Sequence, residues 1–438
     1  MKLKLISKTL ISLSLTGSLL AFSSYANAAG FQLYEQDSAG LGDYHAGGAA
    51  EADSASTAWY NPAGLIRLKR QEITTGVAAV HTNLPYNGTV EVNTVNPGNP
   101  ATVHAQGGNW GYIPNFYYAR PINDNWAVGF GAVVPFGLET DYSSDTYIRY
   151  AATKTSVEVI DIGPSVAYQL NRVISLGLGL DAQHMEGIFN QYAGVGTTLD
   201  TKSKNSGSDW AYGYHAGILL QFTPTTRVGL AYHSQVVHHL TGKSKFIGPL
   251  ANGLAGGTQV SDDLKGNVAL PPYAQLSFYH DFNAQWSILA SAMYTMWSVF
   301  RDLRLENVAA INAVTFSPDN NAVITVAEDY RNTWNFALGA HYKPIQNLTI
   351  KAGVGYDESP ARSAYRNVQL PDQNRFAVAA GLHYQFLPDL GADIGYMHLF
   401  IRKANINLTQ AVSNEEVTTI GSTQGSANLY GLQVTWDF

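Results

Sequence analysis

The sequence predicts an all-β fold, a fourteen-stranded antiparallel transmembrane β-barrel with an N-terminal plug (hatch) in its lumen. Three observations point there. The chain is poor in charge and rich in tyrosine and glycine. It opens with an export signal. Apolar side chains then alternate with polar or small ones over many short stretches. Of 438 residues, 45% are apolar and only 13% charged, against about 25% in ordinary soluble domains. Aromatics number 17 Phe, 8 Trp and 26 Tyr, with 41 Gly beside them. Disordered chains combine high charge with few aromatics, which excludes that class. Tyrosine joins an apolar body to a polar tip and suits a boundary between oil and water.

The first element is the signal. Lys2, Lys4 and Lys8 form a basic start, Leu10 to Phe22 is apolar, and Ala26-Asn27-Ala28 is a small-residue cleavage site. Residues 1–28 therefore read as a secretory signal peptide, with Ala29 as the mature start. The net charge of −7 becomes −10 without those three lysines, and an acidic chain disfavours nucleic acid as a partner. Cysteine is absent, which removes disulfides, thiol catalysis and Cys-ligated metals. Past residue 28 no run of 18 apolar residues occurs, so helices are not the spanning elements.

Segment 29–70 lacks alternation. It carries Gly40, Gly42, Gly47 and Gly48 and ends in Trp59-Tyr60-Asn61-Pro62-Ala63-Gly64. A fourteen-stranded lumen is too wide for strand side chains to fill. The few charges here, with Trp59, Tyr60, Leu65 and Ile66, favour a plug over a periplasmic tail.

Residues 71–438 carry the barrel. Tyr430, Leu432, Val434, Trp436 and Phe438 interleave with Gly431, Gln433, Thr435 and Asp437, a period of two that gives one oily and one polar face. Similar runs begin at Trp126, Ile174, Trp286, Trp334, Phe376 and Leu390. Short breaks at 122–125, 170–172, 223–226, 282–284, 343–347 and 387–389 are six hairpin turns joining twelve strands. One strand before and one after complete fourteen. Seven longer polar segments lie between them, at roughly 82–114, 139–157, 188–210, 238–270, 300–330, 358–374 and 403–425. Short turns on one side and long loops on the other are the pattern of an outer-membrane barrel, and closure leaves no unpaired edge in lipid.

Catalytic and cofactor motifs are wanting. Gly177-Leu178-Gly179-Leu180 sits inside an alternating strand with no helix after it, which does not fit a dinucleotide site. No G-x-S-x-G or H-E-x-x-H occurs, and His238-His239 would point to opposite strand faces. The chain reads as a non-enzyme without cofactor or metal. Val133-Val134-Pro135-Phe136-Gly137-Leu138 is informative, because Pro belongs at bulges and edges and Gly marks bends. Either a kink in the third strand or a plain strand end at the rim fits it. Arg301 and Arg304, just past Tyr294-Thr295-Met296-Trp297, read either as a cation for an amphipathic carboxylate or, more simply, as a solvated loop pair facing lipopolysaccharide.

These residues also carry a resemblance. Ala29-Gly30-Phe31-Gln32-Leu33, Ser38-Ala39-Gly40-Leu41-Gly42, Asn61-Pro62-Ala63, Phe136-Gly137-Leu138, Tyr356-Asp357-Glu358-Ser359-Pro360 and Leu370-Pro371-Asp372-Gln373-Asn374-Arg375-Phe376 are together similar to the FadL-type long-chain fatty acid transporters, over the whole mature chain. The resemblance implies a hatch built on Asn61, Pro62 and Ala63, and a lateral gate at the kink of Pro135, Phe136 and Gly137. It implies a ligand pocket reached by Phe31, with Arg304 near the head group where the family has a Lys. Gln191 stands where the family has an Arg, and that departure weakens carboxylate recognition. The expected activity is passive, ligand-gated uptake of long-chain fatty acids by a monomer in the bacterial outer membrane, its partners being the hydrophobic ligand, lipid and lipopolysaccharide. Neutral or aromatic hydrocarbons by the same route are the alternative. A general aqueous porin is the alternative from another class, and an outer-membrane enzyme comes last.

Overall fold

The computed structural model describes residues 30–438 apart from 197, 198, 313, 413 and 414. The expected signal peptide and Ala29 lie outside the described residues. Fourteen antiparallel strands form the wall: β1 (Glu72–Asn83), β2 (Trp110–Pro121), β3 (Trp126–Asp141), β4 (Lys154–Gln169), β5 (Ile174–Ala193), β6 (Thr201–Thr223), β7 (Thr226–His233, resumed at Val236–Ile247), β8 (Thr258–Leu270, resumed at Tyr273–Asp281), β9 (Trp286–Thr295, resumed at Asp302–Ile311), β10 (Pro318–Ala327, resumed at Thr333–Ile345), β11 (Leu348–Asp357), β12 (Arg375–Leu387), β13 (Leu390–Ile401) and β14 (Ser426–Asp437). Each pairs with its sequence neighbours, and β14 closes on β1 from Ser426↔Asn83 to Asp437↔Glu72. The six hairpin turns fall where the short breaks predict them.

Alternation becomes sidedness. Leu176, Leu178, Leu180, Leu338, Ile394 and Leu432 are exposed on the outer face, while their neighbours turn inward. Two aromatic girdles mark the lipid boundaries. At the turn end Trp126 packs on Tyr168 and Trp286 on Tyr342, at 4.7 and 4.5 Å between ring centroids. At the other end Tyr294 packs on Trp334 at 4.8 Å, with Trp110, Tyr112 and Tyr430 exposed beside them.

The expected long loops are corrected in part. Strand β6 runs 23 residues, and about ten suffice to span a bilayer. Much of 188–210, 238–270 and 300–330 is ladder that continues the wall above the outer girdle. Alternation persists there because Leu240, Leu264, Val268 and Leu305 still bury an inner face. A separate four-stranded sheet (Pro85–Val92, Ala101–Gln106, Ala404–Val412 and Glu415–Thr423) caps this end.

Residues 30–70 lie inside the barrel and bond to its wall. Ser38 N donates to Gln433 Oε1 at 3.0 Å, Gly47 N to Ser291 Oγ at 2.8 Å and Ala49 N to Ser277 Oγ at 3.1 Å. Wall glycines make room for this. A Cβ on Gly229 would stand 1.7 Å from Ala49 O, and one on Gly353 would stand 2.2 Å from Asp43 O, so a side chain at either position would evict the segment.

Candidate functional site

Strand β3 is where the wall is incomplete. It pairs with β2 only over Ala127↔Pro121 to Ala132↔Phe116. Above that, residues 110–115 of β2 pair with β1 alone. Against β4 the register shifts between Val133 and Phe136. Residues 133–140 are then buried without a break, so the strand has left the lipid-facing surface. Pro135 explains the site of the break, since it cannot donate to a ladder. The stretch is a kink within a strand that continues to Asp141, not a strand end.

The freed edge has a partner. Leu33 N donates to Pro135 O and Gly137 N to Phe31 O, both at 2.9 Å, around an antiparallel bridge between Gln32 and Phe136. Backbone groups that β2 leaves unpaired are thus satisfied by the N-terminal segment. That segment is tied down elsewhere too. Gly30 N donates to Asp372 Oδ2 at 3.1 Å, and the same carboxylate takes Ser359 Oγ at 2.5 Å and Arg375 Nη2 at 2.6 Å. Tyr34 Oη donates to Asp357 Oδ1 at 3.2 Å. Burial first, then the Asp357 carboxylate, pushes the Tyr34 hydroxyl well above its usual range, so it stays a donor. The two stretches 356–360 and 370–376 therefore converge on the chain start.

Phe31 is 2% exposed and sits in an aromatic box, 4.9 Å from Trp297, 5.3 Å from Phe300 and 5.9 Å from Phe136 between centroids. Its ring also forms one wall of an apolar cavity with Leu138, Val157, Val268, Leu303 and Leu370. Gln191 lines this cavity. Gln191 and Ile324 also line a second apolar groove nearer the outside, with Phe246, Leu250 and Phe316. The two spaces are neighbours that share Gln191 and Ile324 in their linings.

Asn61, Pro62 and Ala63 stand apart from this cavity, at the seam between plug and wall. Asn61 is fully buried, accepts from Ala63 N at 3.1 Å, and donates to Ala49 O at 2.6 Å and to Ile218 O of β6 at 3.1 Å. Arg304 is the residue placed elsewhere than expected. Its neighbours Leu303 and Leu305 face the cavity, so alternation turns it outward. There it is exposed and paired with Glu306 at 2.9 Å, and it is not among the residues lining the cavity.

The cavity contains groups that sequence reasoning missed. Glu328 lines it, 7% exposed, and accepts from Asn367 Nδ2 at 2.8 Å. Burial pushes its carboxyl up to about 8. It lies above the outer girdle, in a stretch that read as polar loop, with no motif to mark it. Below the plug lies a different space of about 460 Å³, lined by Glu51, Asp53, Arg67, Arg227, Lys351 and Asp393 among others.

The arrangement matches known proteins. The family described as "Outer membrane protein transport protein (OMPP1/FadL/TodX)" matches residues 19–438. Outer membrane protein P1 of Haemophilus influenzae is 31% identical over 470 residues, covering 98% of this chain and 99% of that protein. A long-chain fatty acid transport protein of Escherichia coli is 30% identical over 426 residues, covering 89% and 92%. Among solved structures, a Pseudomonas aeruginosa FadL homologue has a TM-score of 0.82 at 25% identity, covering 93% of this chain and 99% of that one. The Pseudomonas putida toluene transporter TodX shares the fold, with a TM-score of 0.66 at 17% identity and coverage of 93% and 99%. The chain belongs to this family of outer-membrane transport proteins for hydrophobic compounds.

Proposed function

We propose that this family member takes up long-chain fatty acids by passive diffusion, gated by the ligand itself, with lateral exit at the third-strand kink. Ligand settles first in the outer groove by Phe246 and Leu250, then passes Gln191 into the cavity beside Phe31. Each CH₂ removed from water contributes about 0.8 kcal/mol, so no fuel is needed. Occupancy displaces Phe31, and with it the backbone from Phe31 to Leu33. The gate at Pro135, Phe136 and Gly137 opens, and the ligand leaves between β2 and β3 into the membrane. The hatch motif Asn61, Pro62 and Ala63 holds the rest of the plug still meanwhile.

One observation carries this reading. The same short segment supplies a wall of the cavity through Phe31 and the missing ladder partner of β3 through two backbone hydrogen bonds. Whatever moves Phe31 therefore unpairs the gap. A second reading, uptake of neutral or aromatic hydrocarbons, is favoured by the absence of Lys and Arg among the described residues lining the cavity. Growth on oleate as sole carbon source tests the first. We expect growth to be lost on deletion and restored by this chain. Restored growth on an aromatic hydrocarbon but not on oleate would select the second.

A further inference from the structure

We infer that the cavity beside Phe31 receives its ligand with the polar end uncharged, as a protonated carboxylic acid, an alcohol or an ester and not as a carboxylate. This rests on the reading that the cavity is the ligand's resting place, and it concerns the end group alone.

The lining is mostly apolar, and its polar members form a particular set. They are Thr155, Asn190, Gln191, Asn205, Gln369 and Glu328, with no Lys, Arg or His among the described lining residues. Moving a carboxylate from water into such a space is costly unless a cation or several donors meet it. Here the one ionisable lining group is itself an acid. Arg304, which could have supplied the charge, faces outward and is paired with Glu306.

Glu328 is held in place. Its N–H donates to Arg301 O at 2.8 Å, its Oε1 accepts from Asn367 Nδ2 at 2.8 Å, and Tyr330 is its other polar neighbour. Among the described residues no Lys, Arg or His lines the cavity to offset its charge, and burial keeps the carboxyl protonated at neutral pH. Asn367 donates to one oxygen and Tyr330 Oη stands beside the carboxyl, so the acid lines the cavity as an uncharged polar group whose proton can turn to a ligand oxygen. Hydroxyls and neutral carbonyls accept such a bond. A carboxylate would instead draw out the proton and leave two oxygens sharing a negative charge in an oily wall. The amides of Gln191, Gln369 and Asn205 complete a site with both donors and acceptors, which suits a neutral oxygen function.

The test is equilibrium binding of radiolabelled 1-dodecanol, dodecanoate and dodecane to the full chain in amphipol at pH 7. Matched carbon number cancels most of the apolar contribution. We expect dodecanol to bind at least tenfold more tightly than dodecanoate. Glu328→Gln should keep that order, since the amide remains an uncharged donor. Glu328→Leu should lower dodecanol binding about tenfold, to the level of dodecane, while dodecane binding holds and reports an intact cavity. Glu328→Lys should reverse the order in favour of dodecanoate. Equal or tighter binding of dodecanoate by the wild-type chain overturns the inference. So does an unchanged dodecanol-to-dodecane ratio in Glu328→Leu. If none of the three probes binds, the uptake reading itself falls. If dodecane binds as well as dodecanol, only the end-group inference falls.

Discussion

The spaces above and below the plug are opposites. Above it, Phe31 shares an apolar cavity with Leu138, Val268 and Leu370. Below it, Glu51, Asp53, Arg67, Arg227, Lys351 and Asp393 surround about 460 Å³. Some of the lower charged groups hold the plug in place. Arg227 donates through Nε to Ala50 O at 2.7 Å and through Nη2 to Glu51 O at 2.6 Å, and His341 is bonded to Asp43 Oδ2 at 2.6 Å. An oily molecule gains by entering the upper space and would return most of that gain in the lower one. A vertical route through the plug is therefore the costly one, and the broken edge of β3 lies at the level of the upper space, where the proposed lateral exit would open. A general porin would need a lumen open past both.

That contrast can be broken at the proposed gate first. Between Val133↔Asp161 and Phe136↔Val159, β3 advances three residues where β4 advances two. Deleting Pro135 removes the surplus residue and straightens the strand against its neighbour. We expect uptake to fall to the level of a deletion strain while the barrel keeps its heat-modifiable migration on gels. Unchanged uptake would return the vertical route to consideration.

Phe31→Ala attacks the upper space from the plug side. Large-to-small changes at a buried Phe cost about 3 to 5 kcal/mol, and here the loss falls on the seating of the N-terminal segment. We expect faster proteolysis of the chain start and raised ion conductance in planar bilayers, with the barrel intact. A protease-resistant start would show that the bonds to Asp372 and Pro135 suffice without the ring.

Acidity should act on the upper space alone. An ordinary glutamate ionises near 4.5, and Glu328 does so at about 8. As pH rises from 5 to 8 the unfolded chain loses this proton before the folded one, so the stability tied to the neutral acid declines across that window and is gone above it. One pH unit above the midpoint leaves about one protein in ten with the donor. Binding of dodecanol should therefore weaken about tenfold between pH 6 and pH 9. Glu328→Gln should be flat over the same range. A flat wild-type profile would remove Glu328 from ligand binding.

The smallest effect is expected outside the wall. Exposed ion pairs contribute about 0 to 1 kcal/mol, so Arg304→Ala should change neither folding nor ligand binding measurably. A clear loss of dodecanoate binding would bring Arg304 back to the head group.

Residue pattern and residue placement divide along a physical line. Strand number, hairpin turns, the lipid-facing side and the start of the plug are local matters, written in period-two alternation and in breaks such as Ile122–Asn125. The break at Pro135 was visible as a kink or an end, because proline's missing donor is a property of one residue. Its partner was not visible, since pairing with Phe31 and Leu33 joins segments about a hundred positions apart. Arg304 shows the same limit on a smaller scale. Its side of the wall depends on how β9 resumes at Asp302 after the short turn at Trp297–Val299, and one slipped residue inverts every side chain. Glu328 carried no pattern at all. Its chemistry comes from Asn367 and the oily surfaces folded around it, and burial of that kind exists only once distant strands have closed into one wall.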